Sequence, residues 1–250
     1  MHAATHRGLV REVNEDTFGV GDVMSSHPAS RVLSLRLDLD DPVVCVVADG
    51  LGGHVGGDRA SQLAVRTILE HGRELSDGAA VASAVEAAQD ALYEEMARRP
   101  DLEGMGTTIA GLVFSDGKAL GFNVGDSRHY EIVDGMLVQL SVDDSPPPPP
   151  GGLAGAATVT VTKSLGGAAS PSPLDVHLHE HALAEGAAYL ICSDGLTDYV
   201  PLERIESVAG AGPPRRAMAR RLVEIALEAG GRDNVTVVLV GKLPEGGPHA

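Results

Sequence analysis

The sequence has few of the residues that mark secreted, membrane-spanning or aromatic-rich proteins. It contains no Trp, 3% aromatic residues and only two cysteines, Cys45 and Cys192. Two isolated cysteines in apolar runs make no disulfide framework, so we interpret both as reduced core residues of a cytoplasmic protein. The longest apolar runs, such as residues 43–48, are far too short to cross a bilayer, and the residues after Met1 include no apolar segment that would predict a signal peptide.

Positive charge is the second scarce feature. The 19 Lys and Arg residues face 35 Asp and Glu residues, which gives a net charge of −16. A nucleic-acid-binding protein needs a basic face for phosphate contacts, so we expect no nucleic-acid partner and no docking on an anionic membrane. The acidic excess either serves solubility or is concentrated where cations neutralise it, and only the positions of the acids decide between these readings.

The composition that is present is that of a globular protein. The chain has 250 residues and 43% hydrophobic residues, which is enough to bury a real core. Short β-branched runs bounded by turn residues predict strands. These runs are Phe18–Val20, Arg31–Leu37, Val43–Ala48, Thr108–Phe114, Lys118–Val124, His129–Val133, Met136–Leu140, Thr158–Thr162, Ala188–Cys192 and Val235–Val240.

Apolar residues at helical spacing predict helices over Asp58–His71, Asp77–Arg98 and Pro214–Ala229, with a shorter helix over Leu202–Ala209. The strands come largely as hairpins, and the helices come in consecutive pairs. This order is not the strict alternation of a parallel sheet. It predicts an α+β fold with antiparallel sheets and helices packed on their outer faces.

One segment is unusual in composition, because five prolines, Pro146–Pro150, precede a Gly/Ala-rich stretch. Five prolines cannot form a helix or a central strand. The segment is either an interdomain linker or a surface loop, and we favour the loop because the sequence on each side looks incomplete alone. We therefore predict one domain over residues 1–243, with a loop at about 143–166, and a flexible tail over 244–250.

Acidic residues recur at the ends of the predicted strands. Asp49, Asp126 and Asp194 follow apolar runs and lie beside glycine. Asp233 and Asp16 stand just before apolar runs. An Asp beside Gly is ordinarily a turn residue, so each position alone carries little information.

A hairpin turn is followed at once by its partner strand, and this separates the two kinds of Asp. Asp116 and Asp134 fit simple hairpin turns. Asp49 instead leads into a glycine-rich loop and a predicted helix, and Asp194 leads into a second acid, Asp198.

If the strand ends converge at one edge, four or five carboxylates meet in a small space. Like charges at such short distances destabilise the fold unless a cation neutralises them. Oxygen ligands of this kind suit Mg²⁺ or Mn²⁺. Two such ions close together hold and activate a water, which is the chemistry of two-metal hydrolases.

The motifs in chain order match a known family. They are Arg7–Asp16, Val47–His54, Gly104–Thr108, Asn123–Arg128, Ser193–Asp198 and Arg232–Thr236. In these segments the chain resembles the bacterial branch of the PP2C-type, metal-dependent protein phosphatases, the PPM family. The resemblance implies a four-layer α-β-β-α sandwich of two antiparallel sheets flanked by helix pairs, with a metal site at one end.

The resemblance also implies the ligand roles. Asp49 is expected to bridge two Mn²⁺ or Mg²⁺ ions, with the Gly50 carbonyl on one of them. Asp194 and Asp233 are expected to hold the first ion, and Asp16, through water, the second. The implied reaction is hydrolysis of phosphoserine and phosphothreonine by a hydroxide held between the two ions.

Further residues take roles from the same resemblance. Arg11 corresponds to an arginine that grips the substrate phosphate, which suits a bidentate guanidinium. Asp126, with Asp194, corresponds to a third, weaker metal position. Asn234 is expected to support Asp233 and its water shell. Cys192 is not needed as a nucleophile and is interpreted as a core residue.

The chain departs from the family pattern in two places. Leu51 stands where some members have a His that is a candidate general acid. The general acid here is therefore either His54, three residues further on, or water. Asp144 stands where relatives usually carry His, and the proline segment replaces the usual flap. Lys163–Gly166 is similar to the segment that closes that flap.

Other expectations concern partners and alternatives. The resemblance implies phosphorylated Ser/Thr proteins as substrates and a cognate Ser/Thr protein kinase, and we expect a monomer. A non-catalytic metal-binding regulator and a small-molecule phosphate esterase are the competing functions. Three histidines, His177, His179 and His181, share one face of a strand, and they form either a zinc site or a solvent-facing strand edge.

Overall fold

A computed structural model of the chain describes residues 1–27, 32–51, 56–146 and 161–241. The strands in these residues are β1 His2–His6, β2 Thr17–Val20, β3 Val23–Ser25, β4 Leu33–Ser34, β5 Val43–Ala48, β6 Gly50–Leu51, β7 Gly106–Thr107, β8 Ile109–Ser115, β9 Lys118–Val124, β10 Arg128–Val133, β11 Met136–Gln139, β12 Leu165–Gly166, β13 His177–Ala182, β14 Ala188–Cys192 and β15 Val235–Gly241.

The helices are α1 Gly57–Glu70, α2 Gly78–Arg98, α3 Asp194–Thr197, α4 Leu202–Gly210 and α5 Arg215–Glu228. Short 3₁₀ turns cover Gly72–Glu74 and Pro100–Leu102. Asp77 caps the start of α2, because its side chain accepts a hydrogen bond of 2.9 Å from the Ala80 N–H.

Two six-stranded sheets form the centre of the molecule. One has the order β11-β10-β14-β15-β1-β4 and the other β13-β9-β8-β5-β2-β3. Neighbouring strands pair antiparallel in both sheets. A small third sheet, β12-β7-β6, was not predicted, since each of its strands has only two residues.

Central strands are buried on both faces, which explains their unbroken apolar runs. In β5, Val44, Val46 and Ala48 pack with α1 and α2. Cys45 and Val47 face the other sheet. In β15 the odd-numbered residues 235, 237 and 239 pack with α4 and α5. Residues 238 and 240 point the other way and pack between the two sheets. The four predicted layers of helix, sheet, sheet and helix are confirmed.

The predicted strand Arg31–Leu37 is wrong in extent. Within the described part only Leu33–Ser34 forms a strand, because its partner β1 pairs with it over just two residues. Leu35 and Leu37 pack against the core between the sheets instead of extending the ladder. The predicted strand Thr158–Thr162 falls partly outside the described residues, and Val161 and Thr162 are not in a strand.

β1 was missed for a different reason. His2–His6 is rich in Ala and His, which carry no strand signal, and pairing with β15 from His2↔Leu239 to His6↔Val235 decides its conformation. The Lys118–Val124 strand has the predicted bounds, and the α2 helix begins one residue later than predicted. Among the helices of the described residues, none has the length and apolar character needed to span a membrane. Division of the chain into one domain and a tail stays a prediction.

The aromatic contact between the sheets offers a test of the packing. Phe114 is 1% exposed, and its ring centroid lies 5.5 Å from that of Tyr189 on the opposite sheet. We expect Phe114→Ala to lower the free energy of unfolding by about 3–5 kcal/mol, because the substitution leaves a cavity between the sheets. Val138→Ala, on an exposed face, should change it by less than about 0.5 kcal/mol in the same denaturant titration. Equal effects would contradict this packing.

Candidate metal centre

Strand pairing brings the acidic strand ends to one edge. Thr17 pairs with Ala48, so Asp16, before β2, lies beside Asp49, after β5. β14 and β15 pair from Ala188↔Gly241 to Cys192↔Val237, which places Asp194 near Asp233. Because consecutive partners run antiparallel, the end of one strand meets the start of the next at the same side of the sandwich.

Asp16 is fully buried and held by hydroxyl groups. Its Oδ2 accepts hydrogen bonds from Ser193 Oγ at 2.8 Å and Thr236 Oγ1 at 2.7 Å. Its Oδ1 is buried and has no hydrogen-bond donor. Burial raises the pKa of Asp16 to about 6, although the two hydroxyl bonds act in the opposite direction. One carboxyl oxygen is therefore fixed and the other is left for a further partner.

Asp49 is fixed through its backbone by the two threonines of the Gly-Met-Gly-Thr-Thr segment. Its N–H donates to Thr108 Oγ1 at 3.1 Å, and its carbonyl accepts from Thr107 Oγ1 at 2.8 Å and from the Thr108 N–H at 2.9 Å. These bonds leave the Asp49 carboxyl to point into the cluster. They also give this motif a physical role that its sequence alone did not reveal.

The Asp49 carboxyl lies between two other acids. It is within hydrogen-bonding reach of the carboxyls of both Asp16 and Asp194. Burial raises the pKa of Asp49 well above its ordinary value, and the charges of Asp16, Asp194 and Asp233 raise it further. Burial and the neighbouring acids Asp126 and Asp198 likewise raise the pKa of Asp194.

Arg11 supplies a positive charge at the rim of the cluster. Its Nη2 donates to Asp233 Oδ2 at 2.7 Å, and its side chain is 44% exposed. The other oxygen, Asp233 Oδ1, accepts from the Asn234 N–H at 2.9 Å. A single guanidinium thus reaches the acids while most of its donors remain open to solvent.

The Asn234 side chain holds the loop that carries Arg11. Its Nδ2 donates to the carbonyls of Arg7 and Val13, each at 2.9 Å, and its Oδ1 accepts from the Glu15 N–H at 2.7 Å. The expected support of Asp233 comes from the Asn234 backbone. The Asn234 side chain hydrogen-bonds the backbone of the loop at Arg7, Val13 and Glu15.

Two glycines allow the close approaches that the site requires. A Cβ at Gly195 would lie 1.8 Å from the Asn234 carbonyl oxygen, and one at Gly50 would lie 2.3 Å from the Gly57 carbonyl oxygen. No side chain fits at either position. Gly50 also donates its N–H to the Glu15 carbonyl at 3.2 Å, while a metal contact of its own carbonyl stays a prediction.

Asp126 extends the cluster toward a residue that the sequence analysis missed. Burial, together with the charge of Asp198, raises the pKa of Asp126 to about 6. Burial also raises the pKa of Asp198. Asp198 lies one helical turn after Asp194 and donates its N–H to the Asp194 carbonyl at 2.8 Å. The four-residue spacing of the two acids was the signal that would have found it.

Asp144, which stands at the unusual position in the sequence, is a buried junction. Its Oδ2 accepts from the Gly125 N–H at 3.0 Å, and its Oδ1 lies 3.0 Å from His177 Nε2 and 3.1 Å from Lys163 Nζ. Burial opposes its ionisation, but these bonds, led by the one from His177, hold its pKa below the ordinary value. Asp144 thereby joins the turn before Asp126 to β13 and to Lys163.

β13 is an edge strand of its sheet, but the prediction that its histidines face solvent is wrong. His177, His179 and His181 lie on the partly buried face. His179 Nε2 is 2.8 Å from Nε2 of the fully buried His129. Burial lowers the pKa of His179 to about 4 and that of His129 well below its ordinary value.

Room for the imidazoles comes from Gly121, where a Cβ would lie 2.2 Å from His179 Nε2. The two stacked rings, with centroids 4.6 Å apart, do not converge on a common point. No metal-binding group of three His, Cys, Asp or Glu side chains forms there or elsewhere in the described ranges. His54, the candidate general acid, lies outside the described residues.

The acidic cluster nevertheless has the chemistry that divalent cations need. Asp16, Asp49 and Asp194 have raised pKa values, and Oδ1 of both Asp16 and Asp194 is buried without a hydrogen-bond donor. Since the acids of the described ranges do not form a ready metal-binding group, their side chains would have to move to surround an ion. Oxygen-only donors of this charge fit Mg²⁺ or Mn²⁺.

The comparisons with known proteins agree with the fold and with the motif order. The family described as Protein phosphatase 2C matches residues 35–229. The serine/threonine protein phosphatase PstP of Mycobacterium tuberculosis is 34% identical over 249 residues, covering 95% of this chain. The chain belongs to the protein phosphatase 2C family. Arg11, Asp16 and Asp233 lie outside the segment that the family description matches.

Solved structures and a second relative extend the likeness over almost the whole chain. A crystal structure of PstP superposes with a TM-score of 0.77 at 31% identity, covering 98% of this chain and 99% of that one. A structure of the PstP catalytic domain in complex with two manganese ions gives a TM-score of 0.75 at 32% identity, covering 97% of each chain. The serine/threonine phosphatase stp of Listeria monocytogenes is 28% identical over 96% of this chain and 95% of its own length. The chain spans only 44% of the length of the mycobacterial PstP sequence.

The raised pKa of Asp126 predicts a pH-dependent stability difference. A carboxyl whose folded-state pKa is raised lowers stability as pH increases from its unfolded pKa near 4 through its folded pKa, about 6. In chelator, Asp126→Asn should therefore become increasingly more stable than the unsubstituted protein as pH rises from 4.5 to 7.5, by about 1–3 kcal/mol.

The difference is read from denaturant titrations of the two proteins at each pH. Opposing contributions from other groups, such as His129 and His179, cancel between them. A stability difference between the two proteins that does not vary with pH would contradict the raised pKa of Asp126.

The buried junction at Asp144 gives a second prediction with an internal control. Asp144→Asn removes the charge that holds Lys163 and His177, and we expect it to lower the free energy of unfolding by about 1–3 kcal/mol. Asp175→Asn removes the other partner of Lys163. The Asp175 side chain is 77% exposed, so this substitution should have a much smaller effect on the free energy of unfolding. Thermal or denaturant unfolding of both variants measures this, and a larger loss at Asp175 would overturn the interpretation.

Proposed function

We propose that this chain is a Mn²⁺- or Mg²⁺-dependent protein serine/threonine phosphatase. The observation that carries the proposal is the position of the Asp49 carboxyl, which lies within hydrogen-bonding reach of the carboxyls of Asp16 and Asp194 and close to the partly exposed Arg11. Burying this much negative charge favours cation binding, and an exposed guanidinium beside it favours an anionic substrate. Named phosphatases at 28–34% identity support the same function.

The proposed metal ligands are those that the family resemblance implies, and the closeness of Asp49 to Asp16 and Asp194 supports them. Asp49, which contacts both neighbours, would bridge two ions, with the Gly50 carbonyl beside it. Asp194 and Asp233 would hold one ion, and the free Oδ1 of Asp16 would face the other through water. Asp126, together with Asp194, would serve a third, weaker position. When bound, the ions would lower the pKa of water and offset charge on the phosphoryl group.

Arg11 is the group that would orient the phosphate. Its bond to Asp233 fixes the guanidinium, and the remaining N–H donors can bind two phosphate oxygens. Charge that develops on those oxygens during in-line displacement would be stabilised by the same fixed donors. No covalent step through a thiol is needed, since burial raises the pKa values of Cys45 and Cys192 to about 12.

The biological setting is part of the proposal. Phosphorylated Ser/Thr proteins are the proposed substrates, reversing a Ser/Thr protein kinase, and we propose that the chain acts as a monomer in the cytoplasm. Two free, buried cysteines are consistent with a reducing compartment. A non-catalytic regulator is disfavoured because the complete set of family acids is present.

Phosphate release from a phosphothreonine peptide tests the activity. We expect release with Mn²⁺, none with chelator, and a loss of more than about 100-fold in Asp49→Asn, since the proposed bridging carboxylate is gone. Asp134→Asn is the matched control, because Asp134 lies in a hairpin turn with φ +51° that Asn also adopts.

A folded Asp49→Asn protein with near-normal turnover would refute the proposal. Turnover of a small chromogenic phosphate ester without turnover of any phosphopeptide would instead favour the small-molecule esterase.

A further inference from the structure

The loop around Arg11 exposes apolar side chains in an unusual concentration. Leu9 and Val10 are each 66% exposed and Val13 is 56% exposed, and within the described ranges no large apolar side chain exceeds the first two. Single exposed aliphatic residues are common on protein surfaces and need no explanation. Here three of them lie within five positions and bracket the proposed phosphate-binding arginine.

The exposure is imposed by a firmly held backbone. Leu9 donates its N–H to the Gly231 carbonyl at 2.6 Å, and Asn234 clamps the carbonyls of Arg7 and Val13. Gly8 has φ +79°, and a Cβ there would lie 2.2 Å from the Asp233 carbonyl oxygen. The loop is thus seated directly on the strand end that carries Asp233. Its aliphatic side chains are presented from a fixed surface next to the acidic cluster.

We infer that Leu9, Val10 and Val13, hereafter the aliphatic rim, bind an apolar side chain next to the phosphorylated residue of a peptide substrate. The inference rests on the proposed function and deepens it. With Arg11 on the phosphate, an extended peptide advances about 3.3–3.6 Å per residue, so residues one to three positions away reach the rim.

The electrostatics favour an apolar flank over an acidic one. The chain carries a net charge of −16, which repels strongly acidic peptides at long range. Arg11 is engaged by Asp233 and by the phosphate, so it is not available for a second acid. Burial of aliphatic surface is insensitive to this repulsion and contributes about 25 cal/mol per Å².

The test compares two phosphothreonine peptides of equal charge, one with Leu or Val beside the phosphothreonine and one with Ser at those positions. We expect the unsubstituted enzyme to show kcat/KM about 5–10-fold higher for the apolar-flanked peptide, mainly through KM. The double variant Val10→Ser, Val13→Ser should reduce this ratio to about 1, and Leu9→Ser should reduce it in part.

Matched controls come from an equally exposed site elsewhere. Met136 and Val138 on β11 are 56% and 47% exposed, and Met136→Ser, Val138→Ser should leave the ratio between the two peptides unchanged. Far-UV circular dichroism confirms that each variant is folded. Sedimentation of the unsubstituted protein and the Val10→Ser, Val13→Ser variant checks the other possible occupant, a second copy of the chain.

The possible results distinguish failure of the aliphatic rim from failure of the proposed function. A peptide ratio near 1 in the unsubstituted enzyme, or a ratio that survives Val10→Ser, Val13→Ser, overturns the aliphatic rim. A dimer that dissociates on substitution also overturns it, because the rim would then be a self-association surface. Failure to release phosphate from either peptide and from a small ester with Mn²⁺ would instead reject the proposed function itself.

Discussion

The structure depends on the burial of several carboxyl groups at one end of a sheet sandwich. The Asp49 carboxyl lies within hydrogen-bonding reach of Asp16 and Asp194, and the pKa values of all three are raised, because low-dielectric surroundings and like charges both oppose ionisation. Such a cluster weakens a protein unless cations or shared protons offset its charge. The antiparallel pairing that creates the two sheets also creates this cluster, so fold and site cannot be separated.

The surroundings of the cluster limit how it can respond. Ser193 and Thr236 hold one oxygen of Asp16, and the threonines at 107 and 108 hold the backbone of Asp49. Backbones are therefore fixed while selected carboxyl oxygens remain open. That combination is the preorganisation that a metal-dependent hydrolase requires, since side chains can adjust around ions without moving the strands.

A polar junction lies next to the proline segment. His177 of β13 places an imidazole nitrogen 3.0 Å from the Asp144 carboxyl, and Lys163 Nζ lies 3.1 Å from the same oxygen. The other oxygen of Asp144 accepts from the Gly125 N–H and thus supports the turn that carries Asp126. The junction therefore links β13 and Lys163 to the turn beside the acidic cluster.

The sequence by itself determined the doubly buried strands, the helix pairs and the acids at the strand ends, because continuous apolar runs and their flanking residues are local signals. It did not determine β1, the position of Asp198 close enough to Asp126 for its charge to raise the pKa of Asp126, or the partly buried histidines of β13. These depend on which strands are neighbours and in which register, as with His2↔Leu239 and His179↔Gly121. Register is set by the packing of the whole sandwich, so only the tertiary structure decided where those side chains meet.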